Sequence, residues 1–77
     1  MSIDFGALLT TEQKQNLLTQ RIQQFAAEGY QHTLNKQVAE SKDPIDETLL
    51  GQSEDAIVTL AAAIKEYQAE FDKLTVE

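Results

Sequence analysis

Apolar residues near the C-terminus recur with helical regularity. Ile57, Leu60, Ile64, Tyr67, Phe71 and Leu74 are spaced 3, 4, 3, 4 and 3 apart. That spacing places one side chain per turn on a single face, the seam along which two helices pack. Ala56, Ala61 and Ala63 flank the seam and would let a neighbouring helix come close. Upstream, Leu18, Ile22, Phe25 and Gly29 fall on one stripe of a second helical wheel. Ala27, Tyr30, Leu34 and Val38 fall on nearly the opposite side.

The boundaries of these helices are written in the polar residues. Thr10 with Gln13 three positions later fits a capping box. From there to Ser41 no proline intervenes, so residues 10–41 are predicted as helix 1. Lys42, Asp43 and Pro44 then break the pattern. Asp43 suits an N-cap and Pro44 the first helical position, which predicts helix 2 over 44–75. Gly51, followed by Gln52, Ser53 and Glu54, predicts a kink there or, somewhat better, a break with Ser53 as a fresh cap. Ahead of helix 1, Ile3, Phe5, Leu8 and Leu9 surround Gly6. Residues 1–9 read as an apolar arm or a single helical turn.

The implied fold is all-α: one domain of 77 residues, folded as a long antiparallel helical hairpin. Gly29 is its anomaly, because glycine weakens a helix interior by about 1 kcal/mol relative to alanine. Its place where the two stripes exchange, with Ala26 and Thr33 nearby, suggests that another helix passes close. With the turn at residues 42–44, Gly29 would lie level with residue 57 or 58. A hairpin covers only one of the two stripes. The expectation is therefore a homodimer, two hairpins forming a four-helix bundle. Its interface would draw on Leu18, Ile22, Phe25 and Gly29, on Tyr30, Leu34 and Val38, and on the later seam of Ile57, Leu60, Ile64, Tyr67 and Phe71.

Charge narrows the choice of partners. The net charge is −7, and all of it arises after residue 42, where nine acids face Lys65 and Lys73. An acidic surface repels phosphate backbones, so nucleic acid is not an expected partner. Nor is a membrane: no stretch approaches the roughly 20 apolar residues of a span. Asp43, Asp46, Glu47, Glu54 and Asp55 follow one another without a basic residue. They form a candidate docking patch for a basic protein, although helix-dipole stabilisation and solubility account for such a run too.

Candidate chemistry is thin. There is no cysteine and a single histidine, so disulfides and thiolate metal sites are excluded. His32 with Glu28 one turn away supplies only half a metal site. Gly6, Gly29 and Gly51 stand apart and make no phosphate loop. An enzyme is not expected, and no cofactor. The N-terminus lacks the basic and apolar regions of a signal peptide, which points to the cytoplasm.

The run "LLTTEQKQNLLTQRIQQFAAEGYQHTLNKQVAES", with "AIVTLAAAIKEYQAEF" after it, resembles small acidic helical proteins encoded by tailed bacteriophages and prophages of Pseudomonas-type hosts. The likeness lies in "LLT.EQK", "RIQQFAAE.YQH.LN" and the Ala-rich second helix, and covers residues 8–71. Those proteins tend to have proline after the capping threonine and alanine in place of Gly29; Thr11 and Gly29 stand here instead. The group has no assigned activity, so the resemblance implies no functional residues. It implies a phage origin; the uncovered second stripe and the heptad seam add the expectation of a structural or assembly protein, acting as a helical oligomer in the host cytoplasm or with the virion. The other reading is an inhibitor that binds a host protein through the acidic C-terminal half.

Overall fold

A computed structural model describes residues 2–75. Met1, the first residue of the expected arm, and residues 76 and 77 lie outside the described residues. The chain is all-helical among them: a 3-10 turn at Phe5–Leu8, then α1 at Thr11–Ser41 and α2 at Glu47–Thr75. The two long helices pack side by side as an antiparallel hairpin.

The start of α1 follows from local chemistry. The N–H of Gln13 donates to Thr10 Oγ1 at 3.1 Å, and the Thr10 N–H donates to Gln13 Oε1 at 2.9 Å. Two N–H groups that the helix cannot satisfy internally are thus satisfied by the capping box.

Helix α2 departs from expectation at two points. It begins at Glu47, not Pro44, and its cap is Asp46, not Asp43. Asp46 is better placed because it serves both helix ends. Its carboxylate accepts the Leu49 N–H at 3.0 Å, and its own N–H donates to the Ala39 carbonyl of α1 at 3.2 Å. Pro44, which has no N–H, stays in the loop, where Asp43–Pro44 is cis. The second departure is at Gly51, where the helix runs unbroken. Leu50, Ser53 and Ile57 already follow the seam spacing and turn inward. Their burial outweighs one helical glycine. Ser53 is therefore no cap but a seam residue.

Phe25 and Tyr67 set the register, meeting edge-on with ring centroids 5.1 Å apart. Lys36 Nζ and Glu54 Oε1 approach to 4.0 Å nearer the loop. Between these rungs Gly29 lies level with about Ala63, not with residue 57 or 58, because α2 starts later than expected. A Cβ added at Gly29 meets nothing within 4 Å. The close helix crossing expected there is absent from the hairpin. Nor do the stripes of α1 exchange at Gly29. The inward face continues at 3–4 spacing through Gly29, His32 and Lys36 to Ala39. Tyr30 and Val38 point away, 66% and 51% exposed.

Two helices make a slab one helix deep, measuring 53 × 29 × 15 Å. Most seam residues are consequently only half-buried. Among the described residues Ala39 and Ser53 alone are fully buried, where the hairpin closes.

Candidate functional site

The acidic run gathers at the closed end, yet part of it has structural work. Asp46 caps α2 and pairs with Lys42 at 3.4 Å. Its carboxyl is held below the usual carboxylate range, foremost by the hydrogen bond from the Leu49 N–H, with Lys42 adding to the effect against some desolvation. Glu54 faces Lys36. Asp43, Glu47 and Asp55 are exposed and make no ion pair among the described residues. The candidate docking patch thus reduces to three solvated carboxylates beside two that are engaged.

The proposed interface residues separate into two groups. Leu18, Ile22 and Phe25 on α1 and Ile57, Leu60, Ile64, Tyr67 and Phe71 on α2 line the seam inside the hairpin, half-buried, with Ile22 near Phe71 and Phe25 on Tyr67. Gly29 lies on the same inner face beside open space. Tyr30 and Val38, with the half-buried Leu34 between them in an i, i+4 row, form a ridge on the outer side of α1. The hairpin itself accounts for the first group; only the ridge presents its side chains mainly outward.

His32 sits on the inner face at half burial. No cluster of three potential metal ligands occurs among the described residues. Hydroxyls are turned to local backbone: Ser41 Oγ donates to the Val38 carbonyl at 2.7 Å, and Thr33 Oγ1 to the Gly29 carbonyl at 2.9 Å. Ser53 Oγ is buried without a hydrogen-bond partner. Two shallow hollows flank the seam. One of 250 Å³ lies between Ile22 and Phe71, lined also by Gln23 and Gln68. The other, of 180 Å³, lies at the open end among Gly6, Lys14, Leu17, Leu18, Glu70 and Leu74. Both fall below the roughly 300–1,000 Å³ of small-molecule sites.

Sequence reasoning missed Leu17. It lies beside the seam and lines the open-end hollow while remaining 46% exposed. The adjacent "LL" at 17 and 18 was its signal, since one seam position needs only one of them.

No protein-family model matches the chain, and no characterised protein or solved structure proves similar to it. No helix among the described residues is long and apolar enough to cross a membrane.

Proposed function

We propose that this protein is a non-enzymatic structural or assembly protein of the kind tailed phages encode, and that it acts as a helical oligomer. One observation carries the oligomer: the hairpin cannot enclose itself. It exposes 6099 Å², whereas a compact monomer of 8.6 kDa exposes about 4,700 Å². The excess is of the order that a protomer buries in an extensive subunit interface. The phage assignment rests on the sequence resemblance.

Light scattering coupled to size exclusion tests this. We expect a multiple of the monomer mass at low micromolar concentration, with the dimer first in line. A helical, cooperatively melting monomer would sink the reading.

A second reading draws on Asp43, Glu47 and Asp55, the unpaired acids at the closed end. Under it the chain blocks a basic surface of a host protein as a monomer. Capture from host lysate that is lost with rising salt, and in the triple Asn/Gln variant of those acids, would favour it.

A further inference from the structure

The open end of the hairpin combines exposed apolar side chains with a hollow able to receive one of them. Ile3, Phe5 and Leu8 are 64%, 73% and 69% exposed, and Leu9 and Leu17 follow at 39% and 46%. The arm bearing most of them is held, not loose. Asp4 caps the 3-10 turn, its carboxylate accepting the Ala7 N–H at 3.3 Å. The capping box fixes the chain where the arm joins α1. Gly6 lines the open-end hollow, close to the Lys14 amine. The turn is thereby anchored with Phe5 and Leu8 directed outward.

We infer that this end is the interface between two copies of the chain, with Phe5 of each copy seated in the partner's hollow between Leu17, Leu18 and Leu74. The inference rests on the oligomer reading above and names the face that serves it.

Three observations commit the surface to a second copy. The first is size: the hollow measures 180 Å³, and an apolar cavity of about 150 Å³ accommodates a benzene ring. The second is area. Five side chains at these exposures present on the order of 600 Å² of apolar surface, at the upper end for a monomer's largest patch. A two-fold pair would cover about 1,200 Å², the lower bound for a stable specific interface.

The third is charge. The closed end carries Glu40, Asp43, Asp46, Glu47, Glu54 and Asp55 against Lys36 and Lys42, a balance of −4, while the open end sets Asp4, Glu12, Glu66, Glu70 and Asp72 against Lys14, Lys65 and Lys73, a balance of −2. Two copies meeting there keep their most acidic regions far apart, at opposite extremes of the pair. An anionic membrane is a poorer occupant, because the three lysines of this end are outnumbered by its five acids and give no net positive charge to attract such a surface.

The test compares the full-length protein with Phe5→Asp, Leu8→Asp and, as a control on the outer ridge of α1, Tyr30→Asp. Mass is read by light scattering and helix content by circular dichroism. All three positions are exposed, so helix content should be unchanged. We expect a dimer for the parent and for Tyr30→Asp. The two arm variants should dissociate with a constant raised by roughly a hundredfold, since a two-fold interface loses each contact twice. A parent dimer that persists in both arm variants overturns this inference and leaves the oligomer reading standing. A monomeric parent overturns both. Flotation of the parent, but not of Phe5→Asp, with phosphatidylcholine–phosphatidylglycerol vesicles overturns the second copy in favour of a lipid surface.

Discussion

Three residues carry more information than their size suggests. Ser53 is 1% exposed with its hydroxyl unpartnered. A buried unsatisfied hydroxyl costs about 1–3 kcal/mol, and alanine is the better helix former. Ser53→Ala should therefore raise the melting temperature, by about 4–8 °C for each kcal/mol gained. A lower melting temperature at equal protein concentration would mean that the hydroxyl has a partner. Gly29→Ala should also stabilise, by up to about 1 kcal/mol, since a Cβ there meets open space inside a regular helix. A destabilised variant would place a second chain against Gly29. Asp46 gives a pH dependence. Its carboxyl is lowered by the Leu49 N–H and Lys42, so its contribution is present above the unfolded value of about 3.9 and lost as acid protonates the folded form. Asp46→Asn should melt below the parent near pH 7, with the gap closing as the pH falls below the ordinary carboxylate value of about 3.9. A constant gap would refute the charge-based contribution. The sequence disclosed an aspartate cap but not which one. The place before Pro44 pointed to Asp43, and only the Ala39 carbonyl within reach of the Asp46 N–H selects Asp46 instead.

The seam of α2 was legible because Ile57 to Leu74 are large and apolar at every position. Its continuation was not. It runs through Ser53 to Leu50 past the exposed Gly51, and serine and glycine usually signal helix ends; tertiary packing overrides those local signals. Helix α1 misleads in the opposite way. Its inward face turns small and polar after Phe25, while apolar Tyr30 and Val38 face out, so apolarity alone points to the wrong side. The register is checkable at the aromatic rung. Phe25→Ala, Tyr67→Ala and the double variant should show a coupling of about 0.5–1.5 kcal/mol, as edge-on aromatic pairs do. Additive effects would mean that the two helices are slipped relative to this arrangement.

At the scale of the whole molecule, the hairpin has unequal ends. Bulky pairs stand at the open end: Leu18 near Leu74, Ile22 near Phe71, and Phe25 on Tyr67. Beyond them the side chains that α1 offers to its partner helix, Gly29, His32, Lys36 and Ala39, are small or polar, and although Ala39 and Ser53 are fully buried there, no aromatic pair occurs towards the loop among the described residues. Both long helices have their outer extremities on the heavy side. A force applied between residues 11 and 75 therefore acts on the strongest rungs first, like a zipper whose firmest teeth are next to the slider. Once the Phe25–Tyr67 rung fails, nothing further along resists as well, and the rest should part in a single event. Extension traces from tethers at those positions should show one sharp rupture, its force reduced in Tyr67→Ala and little changed in Leu50→Ala. A staircase of successive ruptures would mean that the resistance is spread evenly along the pair.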